Sequence, residues 1–401
     1  MNKLKVLSSK WVRTYTKTGW KSLINGFCTI VFLGCFFSLI YLTKLNAATS
    51  SSLIGVYYGD AGVNNIAQVQ ALENWQGKKH AVLNLFSSWC EQTAVLDGLF
   101  NQQLPNVWNN QNVPMITWEP FFCVSSCNPT DAEVRAGTPV DIETRIANGE
   151  FDAYINTWAD RMKIFLSGPD AIYNTADDRR AYIRFAHEMN GLWYAWGPNP
   201  GSGGNPASDY IRMWQRVKSI FYNKGMEWTH LQWVWCPNYN DYLGYNAEAL
   251  YPGDQYVDWV SISGYNWGAS QTWSVYQTPE QAFGPMLSRL RAMTTKPISI
   301  SEVATTPATP SGISVAGKSQ WIADFFNYVL AQNIKMVVWF NDSKETDWTV
   351  FGGPSGDSYF DYNNNRYNGY SAYKSAIGSS NFIPSDTTNP RLLTDAQFAG
   401  F

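Results

Sequence analysis

Eight apolar segments, rich in β-branched and aromatic residues, recur along the chain, and helix-like stretches separate most of them. Helical spacing of apolar residues is clear in residues 144–166, 208–223 and 318–331. Strands that alternate with helices predict a parallel sheet, and eight such strands are the number that closes a (β/α)8 TIM barrel of the α/β class. The eight segments are residues 53–58, 81–87, 113–118, 181–187, 231–236, 257–264, 297–303 and 334–340.

An open doubly wound sheet is the competing architecture for such a pattern, and it would need a glycine-rich phosphate loop after the first strand. The segment Gly55-Val-Tyr-Tyr-Gly59 does not make one. The chain has 401 residues, which accommodates a barrel of about 250 residues or more. We therefore predict a catalytic barrel over residues 52–377 and an irregular tail over residues 378–401, which contains Pro384 and Pro390.

The N-terminal segment predicts export. Residues 1–22 contain six basic residues and no acidic one, and residues 23–42 carry no charge. Twenty uncharged apolar residues are long enough to cross a bilayer, and basic residues stay on the cytoplasmic side. Small residues at 46–48 offer a signal-peptidase site, so residues 1–48 form either a cleaved signal or a transmembrane anchor. Both place the barrel outside the cytoplasm, secreted or anchored.

Cysteine and histidine usage agrees with an oxidising compartment and argues against a metal centre. Outside the apolar segment, the loop cysteines Cys123 and Cys127 are close enough in sequence to form a local disulfide, although Cys90 and Cys236 allow different pairings. A zinc site would need a second Cys or His pair, and the chain has three histidines. We predict no metal and no cofactor.

The charge balance points to a neutral ligand. Charged residues make up 15% of the chain and aromatic residues 16%, and the net charge is −3. Nucleic acid is therefore not an expected partner, because binding it needs a basic surface. Displayed aromatic rings suit flat apolar faces such as those of sugars. A neutral ligand such as a sugar is therefore the expected partner, and we expect the chain to be a monomer.

One loop is rich in oxygen ligands, because Asp170, Asn174, Asp177 and Asp178 occur within nine residues. Calcium is conceivable there. A solvated turn is the favoured interpretation, since no complete calcium-loop motif is present.

Carboxylates follow three of the predicted strands, at the end where a TIM barrel places its chemistry. Glu119 ends the third strand, Glu188 the fourth and Glu302 the seventh. Hydrolysis of a glycosidic bond needs two carboxyl groups, one protonated to assist the leaving oxygen and one ionised. Amides or tryptophans stand at four of the other strand ends, where a pure scaffold would carry turn residues.

The motif that starts at Arg184, Arg-Phe-Ala-His-Glu-Met-Asn-Gly-Leu-Trp-Tyr-Ala-Trp, closely resembles the acid/base motif of glycoside hydrolase family 26. The segment Pro-Ile-Ser-Ile-Ser-Glu302 is similar to the nucleophile region of that family, and the resemblance covers most of residues 52–377. It implies a retaining endo-β-glycanase on a TIM barrel, with Glu188 on strand four as acid/base and Glu302 on strand seven as nucleophile. The independent strand count puts both residues on those strands.

The same resemblance implies further substrate-binding residues. Trp339 matches a tryptophan that floors the −1 sugar site, and Tyr265 matches a tyrosine close to the nucleophile. His187 would bind a sugar hydroxyl or, instead, cap a strand. The remaining candidates are polar or aromatic: Trp193 and Trp196, either stacking platforms or core, and Asn238 and Glu119, which resemble subsite residues.

Strand alternation predicts the environment of Arg184. It places Arg184 and Glu188 on one face of the strand and Ile183 and Phe185 on the other. If the apolar pair faces the helices, Arg184 points into the barrel and needs a carboxylate partner, either Glu119 or Glu302. The pKa of Glu188, in one cleft with an ionised Glu302, would then be raised.

The substrate remains open among β-linked polysaccharides. The motif after Glu188 favours mixed-linkage β-1,3-1,4-glucan, whereas β-1,4-mannan is less favoured because Val303 and Ala304 follow Glu302. β-1,3-Xylan is a third candidate substrate, and a non-catalytic carbohydrate-binding barrel is a competing function. An esterase or a metal-dependent deacetylase would need a nucleophile elbow or a metal cluster that the sequence lacks.

Overall fold

The computed structural model describes residues 50–59, 66–89, 93–122, 137–198 and 205–400. The predicted membrane segment 23–42 and every cysteine except Cys236 lie outside these ranges, so the disulfide remains a prediction. Cys236 is a buried free thiol. Within the described ranges, no helix has the length and apolar character to cross a membrane.

Eight parallel strands form a closed barrel, which confirms the TIM-barrel prediction. Each strand pairs with its neighbours in chain order, and β8 pairs with β1 to close the ring. An open sheet is excluded, because β1 has a barrel neighbour on both sides. Each strand overlaps one of the eight predicted segments. The strands are β1 (Ser52–Tyr57), β2 (Val82–Trp89), β3 (Val113–Phe122), β4 (Ala181–Phe185), β5 (Leu231–Trp235), β6 (Trp259–Asn266), β7 (Ile298–Thr305) and β8 (Met336–Phe340).

Helices cover the outside of the barrel and fill most of the connections between strands. A π-helical turn, Leu99–Gln103, and a 3-10 turn, Ala247–Leu250, add to them. Two short hairpins project from the loops, Ala308–Thr309 with Gly312–Ile313 and Ser358–Tyr362 with Asn365–Gly369. The helices are α1 (Ile66–Gln76), α2 (Thr93–Gly98), α3 (Leu104–Asn109), α4 (Ile142–Ala147), α5 (Asp152–Leu166), α6 (Ala207–Asn223), α7 (Pro279–Met293), α8 (Val315–Ala331), α9 (Ser371–Gly378) and α10 (Asp395–Phe398).

Side-chain alternation along each strand separates two apolar layers. On β8, Met336 and Val338 belong to a cluster inside the barrel, whereas Val337 and Trp339 belong to the larger cluster between the strands and the helices. This alternation decides which residues of a strand can reach the interior of the barrel and which cannot.

The C-terminal tail, predicted to be irregular, contains two short regular elements. Phe382–Ile383 pairs in parallel with the start of β1, and α10 forms one helical turn. Leu393 and Phe398 are buried inside the barrel, and the Tyr182 hydroxyl donates to the Phe398 carbonyl over 3.0 Å. Because Tyr182 lies near the start of β4, the tail fills the end of the barrel opposite the candidate site.

In the loop considered for calcium, the carboxylate groups already have hydrogen-bonding partners within the protein. The Asp178 side chain accepts from the Asn174 N–H over 2.7 Å and pairs with His230 Nε2 over 2.6 Å. The Thr175 hydroxyl donates to Asp177 over 2.7 Å. In the part of the chain that the structure describes, no group of three or more His, Cys, Asp or Glu is arranged to hold a metal.

Candidate active site

Glu188 lies just beyond β4, in a stretch of unusual backbone. The φ angle is +44° at Ala186 and +53° at Glu188, and residues with side chains rarely adopt such values except at functional sites. The conformation is held in place, because the Glu188 N–H donates to the Cys236 carbonyl over 2.7 Å and Trp196 Nε1 donates to the His187 carbonyl over 2.7 Å. The regular alternation predicted through Glu188 therefore stops at Phe185.

Glu302 reaches the barrel interior through a β-bulge in β7. Ile262 of β6 pairs with Ile300, but the next residue of β6, Ser263, pairs with Glu302. Ser301 is thus the extra residue of β7. The pairing register between β7 and β8 also shifts in this part of β7. Bulges of this kind re-aim a side chain, so both Ser301 and Glu302 contact residues of the interior face.

Both oxygens of Glu302 accept hydrogen bonds. Oε2 accepts from Nη2 of Arg184 and Oε1 accepts from the hydroxyl of Tyr265. Arg184 is fully buried and also donates to Thr117 Oγ1 over 2.9 Å. The prediction that Arg184 points inward to a carboxylate is confirmed, and its ion-pair partner is Glu302. Burial by itself would lower the pKa of Arg184, but the Glu302 carboxylate outweighs burial and raises that pKa.

Glu188 accepts three hydrogen bonds from neutral donors. Oε2 accepts from Trp193 Nε1 over 2.6 Å, and Oε1 accepts from Asn238 Nδ2 over 3.2 Å and from the hydroxyl of Ser263. Burial, and then the negative charge of Glu302, raise the pKa of Glu188, although the donors oppose this. The direction agrees with the expectation from the sequence.

The two carboxyl groups therefore share a cleft but not an environment. Glu188 is 6% exposed and Glu302 is 7% exposed, so both are largely desolvated. Glu302 faces a guanidinium, whereas Glu188 faces amide, hydroxyl and indole groups. Different environments for two neighbouring carboxyl groups allow one to hold a proton while the other stays ionised, as acid/base chemistry requires.

His187 and Trp196 are buried beside the site and are almost inaccessible to solvent. The His187 ring is fully buried, and its Nε2 lies 3.1 Å from the Tyr194 hydroxyl. Burial and the Arg184 charge hold the pKa of His187 well below its usual value, so the ring is neutral. Trp196 is 1% exposed and stacks on Tyr194 with ring centroids 4.5 Å apart. The structure therefore places Trp196 in the core, not among sugar platforms.

Trp193 has a different position in the same loop. Its ring is only partly buried, and its indole N–H contacts Glu188 directly. Asn238 also contacts Glu188, and Asn190 fixes the loop of Asn238 by accepting from its N–H over 2.8 Å. Glu119 is partly exposed near the end of β3, where its charge acts on Tyr194. Trp193, Asn238 and Glu119 gather at the same cleft.

Trp339 does not line the cleft, which corrects the expectation that it floors the sugar site. It faces away from the barrel interior, where its ring packs against Phe326 and Tyr373 at centroid distances of 6.3 Å and 5.8 Å. The reason is that side chains of β8 alternate between its two faces, so Trp339 faces outward and the next residue, Phe340, faces inward. Phe340 stacks on Tyr57 at 4.7 Å and lies 5.7 Å from Tyr265.

Sequence reasoning missed four residues around the cleft: Ser263, Tyr194, Phe340 and Trp348. Ser263 could have been found, because Ser261, Ser263 and Tyr265 share one face of β6 by period-two spacing. Trp348 packs 5.0 Å from Tyr265. It follows β8 in an irregular loop, so no periodic pattern indicates its direction.

The family whose sequence model matches the chain is described as glycosyl hydrolase family 26, and the match covers residues 174–294. That range includes Arg184, Glu188 and Tyr265. Glu302 and β8 lie outside it.

Two curated relatives are similar over large parts of the chain. Endoglucanase H of Acetivibrio thermocellus is 29% identical over 86% of this chain and 32% of its own length. Mannan endo-1,4-beta-mannosidase A and B of Caldalkalibacillus mannanilyticus is 25% identical over 56% of this chain and 44% of its own length. The chain thus spans less than half of the length of either relative.

Solved structures share the fold. The catalytic domain of a Bacillus sp. JAMB-750 endo-beta-1,4-mannanase superposes with a TM-score of 0.55 and 18% identity, covering 84% of this chain and 88% of that one. A modular endo-beta-1,4-mannanase from Cellulomonas fimi gives a TM-score of 0.54 and 14% identity, with 86% and 73% coverage. At these identities the likeness shows the barrel.

Proposed function

We propose that this chain, which belongs to glycoside hydrolase family 26, is a retaining endo-β-glycanase that uses Glu188 as acid/base and Glu302 as nucleophile. The observation that carries the proposal is the contrast between the two carboxyl groups: the Arg184 guanidinium and the Tyr265 hydroxyl contact Glu302, and neutral donors contact Glu188. A carbohydrate-binding barrel without catalysis would not need two buried carboxyl groups in one cleft.

In the first step, Glu188 donates its proton to the glycosidic oxygen while Glu302 attacks the anomeric carbon. The bond to the leaving sugar breaks, and a covalent ester forms between the remaining sugar and Glu302. The raised pKa of Glu188 favours the protonated form that this step needs. Arg184 and Tyr265 orient the Glu302 carboxylate for the attack.

In the second step, Glu188, now ionised, takes a proton from a water molecule. The water oxygen attacks the anomeric carbon, the ester bond to Glu302 breaks, and the β configuration is restored. Glu188 regains its proton and Glu302 its charge. Once Glu302 is esterified, its negative charge no longer raises the pKa of Glu188, and this change favours Glu188 as a base.

Mixed-linkage β-1,3-1,4-glucan is the substrate we favour. The similarity to the endoglucanase extends over 86% of this chain, against 56% for the mannanase. A hydrolysis screen of the purified domain on barley-type β-glucan, β-1,4-mannan and β-1,3-xylan tests both class and substrate. Reducing ends should appear fastest with β-glucan. Faster release from mannan or xylan would make that polysaccharide the assigned substrate. No release from any of the three would refute the assignment as an endo-β-glycanase.

The hydrogen bond from Ser263 to Glu188 predicts a shift in pH dependence. The Ser263 hydroxyl lowers the pKa of Glu188 by stabilising its charged form. In Ser263→Ala that pKa should rise further, so the alkaline limb of the kcat/KM profile should move to higher pH, because the acid stays protonated longer. The pH profile of hydrolysis measures this.

Ser261→Ala is the matched control for Ser263→Ala. Ser261 lies on the same strand and also faces inward, but its hydroxyl donates to Ser301 Oγ over 2.7 Å and not to Glu188. Its alkaline limb should stay in place. A shift to lower pH in Ser263→Ala, or equal shifts in both variants, would contradict the assignment of Glu188 as the acid.

We also propose that the barrel works outside the cytoplasm. The support is the basic segment followed by the uncharged residues 23–42. Protease added to intact cells should digest the barrel, whether it is anchored through that segment or secreted and retained at the surface. Complete protection in cells that have not exported the protein to the medium would overturn the proposal.

A further inference from the structure

The loop that follows β6 carries aromatic rings from the cleft to the surface. The Tyr265 hydroxyl donates to Glu302, and the Tyr265 ring lies 5.9 Å from Trp267. The Trp267 ring lies in turn 5.2 Å from Trp273. Exposure increases along this series, since Tyr265 and Trp267 are partly buried whereas Trp273 is 67% exposed. A row of contacting rings thus runs from the Glu302 carboxylate to solvent.

The inner ring of this row is held by the core. Trp267 packs edge-on against Trp348, with centroids 4.7 Å apart and an interplanar angle of 90°. Trp348 is almost fully buried and also packs against Tyr265. The orientation of Trp267 is therefore fixed by Trp348 and by Tyr265, whose hydroxyl donates to Glu302.

Hydrogen bonds hold the backbone of the loop. The Asn266 side chain accepts from the Gln277 N–H over 2.9 Å, which joins the two ends of the loop. The Ser274 hydroxyl donates to the Gly268 carbonyl over 2.9 Å, and the Ala269 N–H donates to the Ala308 carbonyl over 3.0 Å. Trp273 is thus presented by an ordered loop, and a preordered platform loses little entropy when it binds a ligand.

The chemistry of the loop selects a neutral ligand. Residues 267–277 contain no charged side chain and combine three aromatic residues with serine, threonine and glutamine. Aromatic faces suit the C–H faces of sugar rings, and neutral polar groups suit their hydroxyls. Val275 and Tyr276 are also exposed beside Trp273. The ring row begins at Glu302, so the ligand that reaches it is the chain bound in the cleft.

We propose that Trp267 and Trp273 form an additional sugar-binding subsite, remote from the cleaved bond, for the β-glycan chain whose hydrolysis we proposed above. The subsite rests on that function for the identity of its ligand. The subsite binds a sugar residue that is present in a long chain and absent from a short substrate. Its contribution therefore grows with chain length, and it adds affinity without contacting the reacting atoms.

The kinetic test compares a long and a short substrate. In Trp273→Ala, the ratio of kcat/KM on barley-type β-glucan to kcat/KM on a dinitrophenyl cellobioside should fall about tenfold, mainly through KM on the polysaccharide. Trp273→Phe should recover part of the ratio. Trp228→Ala is the control, because Trp228 is 53% exposed but precedes β5 at the opposite end of the barrel. An unchanged ratio in Trp273→Ala would overturn the subsite.

A binding test separates failure of the subsite from failure of the enzyme. Native electrophoresis through gels that contain β-glucan, mannan or xylan should retard the full chain, and Trp273→Ala should reduce the retardation whereas Trp228→Ala should not. Retardation that depends on Trp273 in a protein without hydrolytic activity would support the subsite and refute the proposed function. Absence of retardation in all three gels, or retardation independent of Trp273, would overturn the subsite, as expected if this surface instead binds a protein.

Discussion

Replacing Glu302 by alanine is expected to abolish hydrolysis of the β-glycan, with a loss of kcat on the order of 10⁴-fold or more. Without a nucleophile the covalent intermediate cannot form. The space left by the side chain can admit azide, which attacks the anomeric carbon from the face that Glu302 occupied. Added azide should therefore restore part of the activity on a dinitrophenyl glycoside, and the product should be the α-glycosyl azide.

The control for this variant must address folding, because Arg184 is fully buried and pairs with Glu302. Removing one partner of a buried ion pair leaves a charge uncompensated and costs about 3–5 kcal/mol. Glu302→Gln keeps a hydrogen-bonding group beside Arg184 and should also be inactive, but azide should not rescue it because the side chain still fills the space. Near wild-type activity in either variant would refute Glu302 as nucleophile.

The sequence predicted the barrel and the face of β4 because both depend on local periodicity. Eight apolar segments gave eight strands, and Ile183 and Phe185 turned toward the helices and left Arg184 inside. Burial then required a carboxylate near Arg184, but chemistry alone could not choose between Glu119 and Glu302. That choice depends on the relative positions of three strands.

One feature of the site depends on a departure from periodicity and could not be predicted. Strict alternation on β7 would group Glu302 with Ile300 on the outer face, and only the bulge at Ser301 turns the carboxylate inward. At β8 the alternation is regular, and there the expectation from the resemblance was wrong. Trp339 falls on the outer face while Phe340 and the loop residue Trp348 contact the ring system around Tyr265.

Replacing Glu188 by alanine is expected to divide the activity according to the leaving group. On polysaccharide, kcat should fall about 10²- to 10⁴-fold, because a sugar alkoxide leaves poorly without a proton from the acid. On a dinitrophenyl glycoside the first step should proceed, since dinitrophenolate needs no proton. The second step should then limit the rate, because the base that activates water is also missing. Initial rates of the variant and the wild type on both substrates give the loss of activity on each substrate, and the ratio of the two losses tests this prediction.

Three outcomes decide the mechanism. In Glu188→Ala a burst of dinitrophenolate, equal to the enzyme concentration, should precede slow turnover, because the glycosyl ester on Glu302 accumulates. The alkaline limb of the pH profile should disappear on the activated substrate, because the group that caused it is gone. With the wild-type enzyme, proton NMR of early products should show the β-anomer first. Release of the α-anomer first would mean inversion, and equal losses of kcat/KM, which reports the first step, on both substrates would exclude Glu188 as the acid.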